Sequence, residues 1–483
     1  MKADRSEGHV RGERRLLTGW GRTAPSAAWL TTPDDPDEVG RLLATPPRAA
    51  GTTVPPPAPT ARREWRGAIA RGLGRSYGDA AQCAGGVVVD TARLGGIGPI
   101  DPESGLVEVG GGVSLHELLG RSLPMGWFVP VSPGTRLVTV GGAIAADIHG
   151  KNHHRDGSFA RHVPSFTLVT PTGTHEVDQL GDPSLFWATA GGMGLTGVVT
   201  RAIIRLIPVE TSSMLVDTER FDRLGDVMGA MEASDAAYRY SVAWVDCMGS
   251  RRHLGRSVLT RGDHAPRSAL PPGRAGAALP VPRGPRLRVP VPAPGGLLNA
   301  RSVGAFNGLW FRRSPRREAG ALRPLSSFFH PLDGIADWNL LYGPRGFVQY
   351  QFVVGPEHGE SVERAVAMIG RSGAPSFLAV LKRFGPGDPG PLSFPLEGWT
   401  LALDFPIGPP VLPSLLDRLD SLVAGVGGRV YLAKDSRLRP ELLPVMYPRL
   451  GELQVVRRRV DPCRVLQSDL SRRLGIDGAT TGE

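Results

Sequence analysis

The run His149-Gly150-Lys151-Asn152-His153-His154 gathers imidazoles and an amine into one short segment. His149 and His153 stand four apart, the spacing at which a helix offers two ligands to a metal. Gly150, however, occupies the place of the glutamate that a zinc protease needs, glycine weakens a helix, and no cysteine or carboxylate set accompanies the pair. No metal is expected. Two readings stay open: surface histidines, or a cationic loop in which Lys151 and the imidazoles receive a phosphate or a developing negative charge.

Gly74-Arg75-Ser76-Tyr77-Gly78 fits the GxSxG pattern of a nucleophilic serine. Residues 79–86 are small and glycine-containing, without the apolar helical face that must come after such an elbow. Gly192-Met193-Gly194-Leu195-Thr196-Gly197 fits GxGxxG, but residues 198–207 are β-branched and read as a strand where a dinucleotide-crossing fold requires a helix. What remains is a recurrence of glycine loops at residues 72–78, 110–112, 134, 141–142 and 191–197. Their backbone N–H groups can cradle a pyrophosphate, with no Walker lysine motif beside them. This is the chemistry of a large phosphate-bearing cofactor in a mixed sheet. The spacing does not name the cofactor.

The elements that must position these loops are short. Val87-Val88-Val89, Leu106 to Val109 and Trp127 to Val131 read as strands. Ser114 is a helix cap, with Leu115, Leu118 and Leu119 on one face behind it. The pattern is α+β. Residues 45–60, rich in Pro, Ala and Thr, read as a loop or linker. Residues 257–296 hold many Pro, Arg and Gly without apolar periodicity, and predict a mobile lid or disordered insert. Residues 346–354 alternate Val348, Tyr350 and Phe352 with Gln349 and Gln351, so a strand would carry an apolar face and a polar one. Residues 399–405 and 429–433 predict two more strands. Residues 462–474 predict a helix with Leu466, Leu470 and Leu474 on one face. No internal repeat is visible.

The chain's 483 residues exceed one small module, and its 41% apolar share excludes wholesale disorder. No apolar run of about 18 residues is present, so no membrane-spanning helix is expected. Residues 1–15 are polar, and no apolar stretch comes after Arg14-Arg15 as an export signal requires. Cys83, Cys247 and Cys463 are too few and too scattered for a disulfide scaffold or a metal knuckle. The net charge of +10 favours anionic partners, or else reflects a compositional bias toward arginine. The basic residues are dispersed, aromatics are 6%, and no nucleic-acid-binding motif occurs, so a nucleic-acid partner is not expected.

Residues 71–79 (RGLGRSYGD) and 133–151 (PGTRLVTVGGAIAADIHGK) resemble the FAD-dependent oxidoreductases of the vanillyl-alcohol-oxidase type. Within these, they resemble the oxidases of polyprenyl-phosphoryl ribose. Residues 17–22, 186–189, 329–333, 349–352, 433–437 and 468–474 continue the likeness, in order, over nearly the whole chain. The resemblance implies an α+β, two-domain FAD-binding fold with a mixed or antiparallel-sheet substrate domain. The division would be a flexible N-terminus at 1–16, an FAD-binding domain at 17–210, a substrate-binding domain at 211–428 with the insert near 257–296, and a segment at 429–483 returning to the FAD-binding domain.

It implies that Arg71, Gly72, Leu73, Gly74, Arg75, Ser76, Tyr77, Gly78 and Asp79 wrap the FAD pyrophosphate and ribose. Gly134, Thr139, Val140, Gly141, Gly142, Ala146, Asp147, Ile148, His149, Val198 and Tyr431 would also touch the flavin nucleotide. Tyr77 stands where some relatives bond a histidine to the flavin, so the FAD is expected to be non-covalent. The resemblance places His149, Trp244, Gln349, Gln351, Lys382 and Lys434 at the reacting centre with Tyr77. The lysines supply charge and donors at a developing alkoxide, or a base where desolvation depresses an amine.

The implied activity is oxidation of the 2′-hydroxyl of a decaprenyl-phosphoryl-β-D-ribose or similar lipid to the 2′-keto sugar, the first half of an epimerisation toward cell-wall arabinan. The implied partners are an NADH-dependent keto-sugar reductase, a quinone-type electron acceptor and a peripheral contact with the cytoplasmic or periplasmic face of the plasma membrane. A sugar-alcohol or aldonolactone oxidase using O2 is the alternative. The chain departs from mycobacterial members of the family at Thr400 (Asn there), Ala402 (Cys there) and Phe329 (Tyr there).

Overall fold

A computed structural model describes residues 12–44, 66–248 and 253–478. The proline-rich stretch at 45–60, like residues 1–11, lies outside the described residues. The fold is α+β and contains three principal sheets.

The first sheet has the order Gly12–Leu17, Ser26–Thr31, Val87–Asp90, Ala68–Arg71. Its first pairing is antiparallel and the other two are parallel. Val87, Val88 and Val89 are all buried, as the β-branched run predicts. The second sheet is antiparallel, in the order Leu106–Gly110, Val198–Arg205, Ser165–Thr170, Gly173–Asp178. Val198–Arg205 begins directly after Gly197, so the GxGxxG segment opens a strand. Residues 76–86 contain no helix after Ser76. Ser114 caps the helix Leu115–Ser122 through a capping box with Glu117.

The third sheet has eight antiparallel strands. Their order is Arg317–Pro324, Ser213–Phe221, Ser257–His264, Tyr240–Val245, Ala379–Phe384, Gly398–Pro406, Phe347–Val354, Arg429–Val430. Phe352, Leu381, Leu401 and Leu403 lie in one apolar cluster with Val362 and Val366 of the helix Gly359–Ser372 and Leu415, Leu416 and Leu419 of the helix Leu412–Ala424. The opposite face carries Gln349, Gln351, Lys382, Thr400 and Asp404.

Several elements differ from the sequence expectation. Gly12–Leu17 is a strand paired along Ser26–Thr31, although its exposed Glu-Arg-Arg stretch reads as a loose end. Ser257–His264 is a strand inside the large sheet, paired on both sides. Its polar residues concealed it, and the irregular stretch begins only after His264. Within that stretch Leu287–Arg288 pairs with Ile335–Ala336, and Ala300–Arg313, just beyond it, is a helix. Trp127–Phe128 and Arg429–Val430 are strands of two residues only. The expected helix at 462–474 shortens to Asp469–Arg473, because Leu466 bridges to Ala68 as extended backbone.

The last segment ties distant loops together. The Arg473 guanidinium donates to both oxygens of Asp79 at 2.9 Å, to Asp435 at 2.9 Å and to the Leu438 carbonyl at 3.0 Å. Removing one partner of a buried ion pair leaves uncompensated charge and costs about 3–5 kcal/mol. Arg473→Met is therefore expected to lower the thermal unfolding midpoint clearly, whereas Arg93→Met, at an exposed pair with Asp34, leaves it within about a degree. A thermal scan of both variants checks this.

Candidate active site

A cavity of about 310 Å³ lies between the glycine loops and the polar face of the large sheet. On the loop side its lining includes Gly72, Leu73, Gly74, Arg75, Ser76 and Tyr77, then Gly134, Thr139, Gly141, Gly142, Ala146, Ile148 and His149, and Val198. On the sheet side stand Gln349, Val380, Lys382, Ala402 and Asp404. Tyr431, Ala433 and Lys434 close one end, with Trp20, Leu332 and Trp338 nearby.

Local chemistry explains the loops. A Cβ on Gly72 would lie 2.2 Å from the Thr139 Oγ1, so the two loops can meet only at glycine. Thr139 caps the helix Val140–Ala145 by accepting from the Gly142 N–H. A Cβ on Gly78 would lie 1.8 Å from the Asp435 carbonyl oxygen, and the Tyr77 N–H donates to the Ala433 carbonyl at 2.9 Å. This contact brings the Tyr431-to-Asp435 turn, and Lys434 with it, against the first loop. His330 shares a 2.6 Å hydrogen bond with Ser132, and Asp333 accepts from the Arg136 N–H, so residues 330–333 anchor the Gly134 loop. The N–H groups of Leu73, Gly74, Arg75, Ser76, Gly134 and Thr135 donate to no described residue. They form a set of uncommitted donors suited to an anion.

The sheet wall is set by register. Gln349 stands opposite Asp404, Gln351 opposite Ala402, Val380 opposite Ala402 and Lys382 opposite Thr400. Gln349 donates to Asp404 at 2.5 Å, and Tyr342 donates to the other oxygen at 2.9 Å. Gln351 donates to Thr400 at 2.9 Å and lies 3.0 Å from the His149 Nε2. The Gln349 and Gln351 Oε1 atoms and the His149 Nδ1 are buried without a partner.

Burial, and after it the nearby Lys382 and Lys434, holds His149 well below its ordinary value, so it is a neutral imidazole accepting from Gln351. Lys382 is also held well below its ordinary value, first by desolvation and then by Lys434 and Lys151. Desolvation lowers Lys434 to about 8, against the attraction of Asp404. Asp404 is itself pushed up to about 6 by burial. Neither the Lys382 nor the Lys434 amine makes a hydrogen bond or ion pair with a described residue. Lys434 lies 5.6 Å from the Tyr77 ring and 6.0 Å from the Tyr431 ring, and Lys382 lies 5.7 Å from the Phe384 ring.

Seven of the expected site residues do not line the cavity. Arg71 donates to the Thr18 and Ala81 carbonyls, Asp79 is committed to Arg473, and Gly78 packs on Asp435. Val140 is core. Asp147 is fully buried, accepts from Ser393 at 2.5 Å and is pushed up to about 7 by burial and then by Asp388. Gln351 shares the polar face of the sheet but is covered there, its amide bonded to His149 and Thr400. Trp244 is paired with Val380 one strand further out. Lys151 also stays away from the lining: its amine donates to the Phe328 carbonyl and sits 4.4 Å from that ring. His153 is buried and held down to about 3, chiefly by desolvation. No metal-ligating cluster occurs among the described residues. Phe329 is core, packed on Tyr240 and Phe128. Asp404 is the residue that sequence reasoning missed. Its signal was an acid inside the otherwise apolar strand Gly398–Pro406.

Residues 60–178 match a family of FAD binding domains. The chain is 43% identical over 472 residues to decaprenylphosphoryl-beta-D-ribose oxidase of Mycolicibacterium smegmatis, covering 96% of this chain and 98% of that protein. It is 44% identical over 373 residues to an uncharacterized protein of Streptomyces coelicolor, covering 75% of this chain and all of that one. The site fits FAD: uncommitted N–H donors suit the pyrophosphate, and the unpaired amines and orphaned amide oxygens stand where a polar ring system and a substrate need partners. Ala402 puts a methyl group on the wall, and the described cysteines are the buried Cys83 and Cys247 and the exposed Cys463. Intact mass after treatment of the folded protein with a thiol reagent is expected to show one adduct, at Cys463, and none in the cavity.

Proposed function

The chain belongs to the decaprenylphosphoryl-β-D-ribose oxidase family, and on that footing we propose that it oxidises the 2′-hydroxyl of a polyprenyl-phosphoryl ribose to the 2′-keto sugar. It is an FAD-dependent oxidoreductase acting on a CH–OH group. The observation that carries the reading is the pair of unpaired amines, Lys382 on the sheet wall and Lys434 at one end, in the cavity that the glycine loops line.

FAD, when bound, supplies the two-electron oxidation. The chain's own residues manage the proton and the geometry. Lys382, whose amine is held well below its ordinary value by desolvation and then by Lys434 and Lys151, is the group placed to accept the hydroxyl proton. Lys434, with Asp404 favouring its charged form, stays protonated below about pH 8 and stabilises the developing alkoxide. Gln349 and Asp404 orient the sugar hydroxyls. His149, as a neutral acceptor, fixes the Gln351 amide.

The keto product requires a second, reducing step for epimerisation, which a separate NADH-dependent reductase would supply. A quinone-type acceptor would reoxidise the flavin. We also place the protein peripherally on the plasma membrane. Among the described residues no helix is long and apolar enough to cross a membrane. The helix Ala300–Arg313 instead exposes Phe306, Leu309 and Trp310 beside Arg301, Arg312 and Arg313. An exposed apolar stripe flanked by arginines suits an anionic lipid surface.

Two outcomes test this. In anaerobic mixing with a polyprenyl-phosphoryl ribose, flavin bleaching in the wild type is expected to slow as pH rises through about 8, where Lys434 loses its charge. Lys434→Met should slow bleaching by about 100-fold and abolish that limb. In sedimentation with phosphatidylglycerol vesicles, Phe306→Ser with Trp310→Ser should lose binding without loss of bleaching on a detergent-solubilised substrate.

A further inference from the structure

A second cavity, of about 290 Å³, lies beside the first. Pro294, Leu297, Leu298, Leu341 and Ile407 dominate it, and the Tyr342 ring forms part of its wall. Its polar side chains are already committed. The Asn299 Oδ1 accepts from the Arg301 and Ser302 N–H groups, and its Nδ2 donates to the Gly296 carbonyl. The Tyr342 hydroxyl donates to Asp404. Arg345, exposed, is the one charged residue among the described lining residues. A cavity whose hydrogen-bonding groups are spoken for gains nothing from a polar ligand and gains from an apolar one.

Its position says which one. Asp404 lines the first cavity and Tyr342 the second, so the two lie within one tyrosine side chain of each other. Leu298 and Leu341 of the second cavity pack in one cluster with Tyr77, Leu332 and Trp338 of the first. In the other direction Leu297 lines the cavity and is also exposed, and Asn299 caps the helix carrying Phe306 and Trp310. Phe377 contacts both Phe306, at 5.1 Å, and Tyr342, at 6.3 Å between centroids. An apolar track therefore runs from the sugar site to the exposed apolar helix.

We propose that this second cavity binds the first isoprene units of the substrate's lipid tail, a conclusion that rests on the first cavity being the sugar-oxidising site. Branched, unsaturated hydrocarbon without hydrogen-bonding groups matches its lining.

The test compares ribose phosphodiesters carrying a farnesyl or a methyl group, with FAD-loaded full-length protein, by anaerobic flavin bleaching. The wild type should favour the farnesyl substrate by about tenfold or more in apparent affinity, as burial of a few methylenes predicts. Gly295→Phe fills the cavity from an exposed position where a Cβ meets nothing within 4 Å, and Leu341→Gln makes its wall polar. Both should abolish the farnesyl preference by raising the apparent dissociation constant for that substrate alone. Equal behaviour of the two substrates in the wild type, or a preference untouched by both variants, overturns the tail site and leaves the oxidase reading standing. A wild type that bleaches with neither substrate overturns the oxidase reading and the tail site with it.

Discussion

Gln349, Gln351, Lys382, Thr400 and Asp404 share one face of the large sheet because three neighbouring strands keep a single register. Side chains alternate along a strand, so a slip of one residue would turn this polar set into the helix layer and put Phe352, Leu401 and Leu403 against the cavity. Burying unpaired amides and amines costs several kcal/mol, and exposing the leucines forfeits their transfer energy. The apolar face beneath the helices Gly359–Ser372 and Leu412–Ala424 thus holds the chemistry on the other face in place. Catalytic geometry here is a by-product of hydrophobic packing one layer away.

That packing leaves an electrostatic imbalance. Arg75, Lys382 and Lys434 line the cavity, and Asp404 is the one carboxylate among the described lining residues. The Arg75 guanidinium lies 3.8 Å from the Trp20 ring centroid, and the lysine amines have no ion-pair partner among the described residues. Desolvation lowers both amines, and Asp404 opposes it at Lys434 alone, which separates their roles into a proton acceptor and a charged stabiliser. The same excess of positive charge, with the uncommitted N–H groups of the loops, gives the cavity its preference for a phosphate-bearing ligand.

The site is assembled from segments far apart in the chain. Lys434 reaches it because Gly78 allows the Asp435 carbonyl to approach and because Arg473 joins Asp79 to Asp435. The loop at 134–136 is held by His330 and Asp333, some 200 residues later. Each clasp involves residues whose side chains never touch the cavity, which is why residues 71–79 and 433–437 contain functional and structural positions side by side.

What local pattern dictates was legible. Alternation gave the glutamine strand, the Ser114 cap and its leucine face gave the helix Leu115–Ser122, and the residues after Ser76 and Gly197 excluded a nucleophile elbow and a dinucleotide-crossing helix. The glycine loops announced a phosphate-bearing cofactor, and their order resembled one family. What depends on partners was not legible. Gly12–Leu17 and Ser257–His264 are polar strands that exist because neighbours pair with them. Arg71, Asp79 and Asp147 sit in cofactor-like motifs, yet serve contacts away from the cavity. Asp404 becomes a site residue only through its register with Gln349. Periodicities, caps and glycine positions are written in the chain, because these act over one or two turns of it. Which polar groups meet at the cavity, and which amine loses its proton, is settled in three dimensions, because pairing, burial and desolvation are properties of neighbours that the fold brings together from hundreds of residues away.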